Sequence, residues 1–310
     1  MNQIKPISIS NLKKAYRGKR GKKVEALRDI TLDIVPGEVF GFLGPNGAGK
    51  STTIKILMGL IRPSEGEASI FGVAVGDPAA RRRVGFLPEN PAFYDFLTAR
   101  EYLQFVGKSF GMSPAVIRSE SERVLALLDL TAAAGRPIRG YSKGMVQRLG
   151  IAQTLLHDPD LYILDEPMSG LDPLGRALVK EIILDLKGRG KTVFFSTHVT
   201  ADVEQVCDRI GVIVGGVFRE ERVVKELLRE GIDGYFCRVL GVDRAFLEAF
   251  GDVHCHADVC EVFVSRDRFD PFAAAVVGQG ASFDLIEPRR RDVEDYLLDL
   301  VRSSGEARCV

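Results

Sequence analysis

Gly44-Pro45-Asn46-Gly47-Ala48-Gly49-Lys50-Ser51-Thr52 is a complete G-x-x-x-x-G-K-S/T phosphate-binding loop, and it follows an apolar run, Val39 to Leu43, that reads as a buried strand. Glycines at these positions let successive backbone N–H groups turn inward around an anion. Lys50 can reach the β and γ phosphates of a nucleotide, and the Ser51 hydroxyl can ligate Mg²⁺. Downstream, Ile54, Leu57, Met58 and Ile61 recur at i, i+3, i+4 and i+7. That spacing predicts a helix whose positive N-terminal end points at the phosphates.

Leu161-Tyr162-Ile163-Leu164-Asp165-Glu166 reads as a second buried strand ending in paired carboxylates. In a parallel sheet Asp165 lies beside the loop and can hold Mg²⁺ through water, while Glu166 can polarise an attacking water. Between the strands comes Tyr141-Ser142-Lys143-Gly144-Met145 with Gln147 and Arg148. After the second strand come Ser169-Gly170-Leu171-Asp172, and His198 closes the series behind the strand Thr192 to Thr197.

This order of segments resembles the ATPase subunits of ABC transporters, over residues 7 to about 220. The chain is most similar to an exporter branch whose signature reads YSKGM rather than LSGGQ and whose cassette is followed by a second domain. The implied fold is α/β: a P-loop NTPase cassette with a mostly parallel sheet, an antiparallel β subdomain and a helical insert at about residues 97–140, which in the family faces the membrane subunit.

The resemblance also implies roles. Gly44, Pro45, Asn46, Gly47, Ala48, Gly49, Lys50, Ser51 and Thr52 cradle ATP, and Tyr16 stands where the family stacks an aromatic ring on adenine. Glu166 is the general base, and His198 contacts the γ phosphate and holds the attacking water. Ser142 and Gly144, ahead of a helix from Met145 to His157, cap the γ phosphate bound by a second copy, so the active unit pairs two cassettes with ATP at the seam. Lys143 and Met145 depart from the commoner glycine and glutamine. Glu89, in Gly85-Phe86-Leu87-Pro88-Glu89-Asn90, replaces the glutamine that usually touches Mg²⁺, so it joins Ser51 and Asp165 as a metal-site residue and adds negative charge near the triphosphate.

Length and composition are compatible with this. A chain of 310 residues accommodates about two domains. We expect a cassette over residues 1–229 and an α+β unit over 230–310, separated by a linker around Arg229 to Gly234. Beyond it the pattern predicts strand Tyr235–Leu240, helix Arg244–Phe250, strand Val253–Ala257, strand Glu261–Ser265, helix Pro271–Gly278, strand Ser282–Ile286 and a last helix from about Asp292 to Arg302. That β-α-β-β-α-β-α order is similar to a ferredoxin-like accessory domain. It carries no catalytic constellation and reads as a docking or dimerisation surface.

The 42 basic residues balance 42 acidic ones, so no global field draws the chain to nucleic acid, and no nucleic-acid partner is expected. No apolar core segment follows Lys5, Lys13 and Lys14 as a secretory signal requires, and the apolar runs fall short of the roughly 18 residues of a membrane span. A separate permease is therefore expected to supply the membrane part, with this chain cytoplasmic on its inner face. The 5 cysteines, Cys207, Cys237, Cys255, Cys260 and Cys309, are scattered with no C-x-x-C pair, which argues for reduced thiols. His254-Cys255-His256 with Cys260 contains metal-binding residue types, but alternation along a strand puts the histidines and Cys255 on opposite faces. A half-exposed strand is the better reading.

The rival functions are a soluble ABC ATPase acting on the ribosome or DNA, and a P-loop kinase. The first kind carries paired cassettes, long coiled coils or zinc modules that are absent from this sequence. The second leaves YSKGM and His198 without a role.

Overall fold

The computed structural model describes residues 4–17, 23–230, 232–256, 259–290 and 293–303. The chain divides into two compact units, one formed by residues 1–223 with the chain's end from Leu300, the other by residues 224–299.

The first unit opens with β1 (Ile7–Arg17), β2 (Lys23–Ile34) and β3 (Val39–Leu43), then α1 (Lys50–Leu57), β4 (Glu65–Ile70), β5 (Val73–Ala74) and β6 (Val84–Leu87). The basic turn predicted between β1 and β2, at residues 18–22, lies outside the described residues. The helical insert follows as α2 (Ala99–Ser109) and α3 (Pro114–Leu127). Each insert helix carries its own start signal. Thr98 and Glu101 form a reciprocal capping box on α2, and Ser113 caps α3 with Pro114 in its first turn. The remainder is α4 (Lys143–Leu155), β7 (Leu161–Asp165), α5 (Pro173–Gly188), β8 (Thr192–Thr197), α6 (Thr200–Val206), β9 (Arg209–Val214) and β10 (Val217–Val223).

Among the described residues these strands make a ten-stranded sheet in the order β5-β4-β1-β2-β10-β9-β3-β8-β7-β6. From β9 to β6 neighbouring strands are parallel, whereas β1, β2, β4 and β5 pair antiparallel as a distinct subdomain. Strands β3, β7 and β8 are buried along their whole length, as expected where helices cover both faces of a parallel sheet. Their core includes Phe40 stacked on Phe194 at 5.8 Å, with Phe42, Ile54 and Ile163 packed around them.

Register decides what the sheet presents. Leu43 pairs with Thr197 and Asp165 with Ser196, so the carboxyl ends of β3, β8 and β7 finish level with one another. The phosphate loop, the paired carboxylates and His198 all leave the sheet at that edge, the position where open parallel sheets bind ligands. Helix α1 ends earlier than its apolar period suggested: Gly59 at φ 64° breaks it, and Ile61 packs against the core from beyond the helix.

The second unit contains α7 (Val224–Glu230), β11 (Ile232–Leu240), α8 (Arg244–Glu248), β12 (Val253–His256), β13 (Val259–Ser265), α9 (Arg266–Gly278), β14 (Ser282–Arg290) and the start of α10 (Val293–Ser303). Its sheet order is β12-β13-β11-β14 with every pairing antiparallel, a split β-α-β arrangement over a core of Cys237, Val239, Leu247, Val262 and Phe272. Here the structure differs from the sequence expectation at three points. The expected linker is helix α7 up to Glu230 with β11 starting at Ile232, and the division of the chain falls ahead of α7. Helix α9 starts at Arg266, so Pro271 lies inside it; burial of Phe272 and Val276 outweighs the missing N–H. Cys255 and Cys260 form a disulfide, because the β12/β13 register puts them directly opposite with Cα atoms 4.1 Å apart. Cys207 and Cys237 are buried free thiols.

Candidate functional site: a nucleotide pocket at the carboxyl edge of the sheet

Helix α1 starts at Lys50 behind Gly49, and no side chain caps it. Its first-turn N–H groups lack intrahelical acceptors and carry the positive end of the helix dipole. They face a cavity of about 290 Å³ lined by Ala26, the loop from Asn46 to Thr52, Glu89 and Glu166. The loop is anchored from behind. Gly216 N–H donates to Ala48 O at 2.9 Å, and Gly49 adopts φ 114° with its back against Ala26 and Leu27.

Lys50 is 6% exposed, and its ammonium donates to Gly44 O at 2.7 Å and Pro45 O at 3.2 Å, with Glu166 Oε1 3.6 Å away. Burial pulls its pKa below the ordinary lysine value, opposed by the Glu166 and Asp165 carboxylates. A buried cation bonded to neutral carbonyls and lying beside an uncapped helix start favours an anionic ligand.

Asp165 is the hub of the second wall. Its Oδ1 accepts from the Ser51 hydroxyl at 3.2 Å and from the Ser196 hydroxyl at 2.5 Å. The next residue, Glu166, has a left-handed backbone at φ 50° and presents its carboxylate to His198 Nδ1, 3.0 Å from each oxygen. Thus Lys50, Ser51, Asp165, Glu166 and His198, dispersed over the sequence, meet in one place, and Glu89 lines the cavity with Lys50, Ser51 and Glu166.

The other predicted residues lie apart. Tyr16 sits at the end of β1 opposite Val24, 40% exposed, with the Lys14 ammonium 5.2 Å from its ring centre. Ser142 caps α4 by accepting from Met145 N–H at 3.3 Å, and Gly144 faces the Ser169–Asp172 turn, where Lys143 packs on Gly170. Neither Ser142 nor Gly144 is among the residues lining the cavity at Lys50.

Comparison with known proteins gives the family. The ABC transporter family model matches residues 27–169. An uncharacterized ABC transporter ATP-binding protein of Synechocystis sp., sll0415, is 45% identical over 291 residues, covering 92% of this chain and 80% of that protein. The bacitracin transport ATP-binding protein BcrA of Bacillus licheniformis is 38% identical over 304 residues, 95% of this chain and 97% of that protein. The chain belongs to the ATP-binding subunits of ABC transporters. As an ABC ATPase it binds and hydrolyses ATP. Its cassette superposes on a dimeric cassette, MJ0796, solved in a post-hydrolysis state with ADP and Pi, at a TM-score of 0.66 and 26% identity, over 70% of this chain and 98% of that one.

In this ABC cassette the donor set fits the expected ligands. Backbone N–H groups and Lys50 suit the phosphates, and the Ser51 hydroxyl and Asp165 carboxylate are hard oxygen donors of the type Mg²⁺ takes. Ala26 and Ser196 escaped the sequence reading, and Gln147 was quoted there with the signature segment but without a role. Ala26 enters the cavity wall from β2, at the irregularity where β1 and β2 shift register. Gln147 donates to Glu166 O at 3.3 Å and Pro167 O at 3.0 Å. Ser196 bonds both Asp165 and the Glu166 N–H. The signal for the last was a polar residue closing an apolar strand.

Proposed function

We propose that the chain powers outward transport of a substrate through a separate permease, working as a pair of cassettes with ATP at the seam. The observation that carries this reading is the meeting of Lys50, Ser51, Asp165, Glu166 and His198 at the carboxyl ends of β3, β7 and β8. Phosphoryl transfer to water asks mainly for positioning and charge neutralisation, which this group supplies. Lys50 and the loop amides neutralise the phosphates. Mg²⁺, when bound by Ser51 and Asp165 with Glu89 nearby, neutralises further charge. Glu166 takes the proton of the attacking water as its oxygen bonds to the γ phosphorus and the bond to the bridging oxygen breaks. His198 orients the Glu166 carboxylate through Nδ1 and contacts the γ phosphate, while Tyr16 stacks on adenine.

Ser142 and Gly144, removed from the cavity at Lys50, act on the nucleotide of the paired cassette. The dimeric cassette with ADP and Pi supports that pairing, and the bacitracin transport relative supports a transporter role. No helix among the described residues is long and apolar enough to cross a membrane, which fits a separate permease that holds this chain at the cytoplasmic face. The unit of residues 224–299 adds docking surface.

Glu166→Gln tests the chemistry. Phosphate release should fall by roughly 10² to 10⁴ with ATP affinity retained, and near-normal release removes Glu166 from the role. Ser142→Arg should abolish hydrolysis while sparing ATP binding by the isolated chain; full activity of a monomeric Ser142→Arg chain rules out the composite site. Efflux from cells carrying the permease and this chain, lost with Glu166→Gln, tests direction.

A further inference from the structure

Glu166 is held on both sides of its Cα. Its N–H donates to Ser196 O at 3.2 Å and to the Ser196 hydroxyl at 3.1 Å. Its carbonyl accepts from Gln147 Nε2 at 3.3 Å, and the same amide donates to Pro167 O at 3.0 Å. The Ser196 proton goes to Asp165 Oδ1, so one hydroxyl links the neighbouring carboxylate residues. Gln147 and Ser196 are 3% and 0% exposed, so water does not replace these bonds readily. Between them Glu166 keeps a φ of 50°, a left-handed conformation that non-glycine residues rarely hold unless the surroundings impose it. That conformation aims the carboxylate at His198 and Lys50. An extended backbone at Glu166 would turn the side chain away from both.

We propose that Gln147 and Ser196 are positioning residues for hydrolysis, which act by clamping the backbone of Glu166 and thereby its carboxylate. The proposal rests on the reading of Glu166 as general base. Neither side chain is among those lining the nucleotide cavity, so the clamp acts on turnover and leaves ATP binding alone. Gln147 is carried by α4, the helix that starts behind Ser142, so it also ties the Ser142 turn mechanically to Glu166.

The experiment compares Gln147→Leu, Ser196→Ala, Glu166→Gln and the Gln147→Leu/Glu166→Gln double variant in the full-length chain, by ATP affinity, KM and single-turnover phosphate release. Displacing a reacting group by a fraction of its contact distance costs about 10- to 100-fold in rate. Gln147→Leu and Ser196→Ala should each lose about that much kcat with KM and ATP affinity within about twofold of the parent. The double variant should release phosphate no more slowly than Glu166→Gln alone, because the clamp has nothing left to position. Losses that multiply in the double variant, or a rise in KM that accounts for the loss, would show a general structural role and overturn the proposal. Unchanged kcat in both single variants, with Glu166→Gln strongly impaired, overturns the clamp and leaves the base. Near-normal Glu166→Gln turnover overturns the base, and the clamp with it.

Discussion

Gly49→Ala probes how the phosphate loop is built. A Cβ at Gly49 meets Leu27 Cδ2 at 2.6 Å, the Ala26 carbonyl oxygen at 2.9 Å and Ile213 Cδ1 at 3.1 Å, on a backbone at φ 114°. The leucine end can swing aside, but Ala26 O belongs to β2 and cannot. Backbone strain of about 1–3 kcal/mol and overpacking of about 1–3 kcal/mol together cost about 2–6 kcal/mol. Gly47 is the control in the same loop: its φ is 79° and a Cβ there meets nothing within 4 Å. Gly47→Ala therefore costs only the left-handed penalty, about 1–2 kcal/mol. Against a typical stability of about 5–15 kcal/mol, the two variants separate clearly by guanidinium midpoint, read with the slope held constant. Added ATP should raise the midpoint of the parent and fail to raise that of Gly49→Ala, since ligand linkage needs an intact loop. Equal destabilisation by the two alanines, or a parental midpoint for Gly49→Ala, refutes the packing of Gly49 against β2.

Glu89→Gln removes a negative charge from the cavity wall, so ATP without added Mg²⁺ should bind several-fold more tightly; unchanged affinity by calorimetry counts against Glu89 facing the phosphates. His157 stacks on Phe110 at 3.7 Å, and its Nδ1 is buried without a partner among the described residues. Burial lowers its pKa below 6.5, opposed by the Val84 carbonyl. The unfolded chain then binds the proton first as pH falls, so stability drops through the window below 6.5 and the loss is complete beneath the folded value. Melting temperature against pH should fall less steeply for His157→Gln, and parallel curves refute the assignment. Reduction of Cys255–Cys260 opens a short loop worth about 2 kcal/mol, so hydrogen exchange should quicken in β12 and β13 under dithiothreitol while β3 and β7 stay protected; uniform protection refutes a stabilising bridge.

Much of the cassette was legible because its signals are local. Strand β3 begins and ends where its apolar run does, β8 spans the expected Thr192 to Thr197, and the insert helices start at capping residues that are themselves in the sequence. The loop Gly44–Thr52 announces its chemistry through backbone requirements that few residue types meet. Legibility fell where a partner far along the chain decides. The alternation that set His254 and His256 apart from Cys255 said nothing of Cys260 opposite it, since only strand register brings the sulfurs together. Pro271 looked like a helix start, yet α9 begins at Arg266 because packing of its apolar face tolerates the proline.

The site shows the same division. Lys50, Ser51, Asp165, Glu166 and His198 were recognisable from residue type and order, because each supplies charge or a donor that phosphate chemistry demands. The strained backbone of Glu166, its clamp by Gln147 and Ser196, the carboxylate held by His198 Nδ1 and the entry of Ala26 from β2 were decided only by the fold. Side-chain type and local spacing are written in the chain, whereas hydrogen bonds between residues remote in sequence exist only once parallel strands have set β3, β7 and β8 level at one edge.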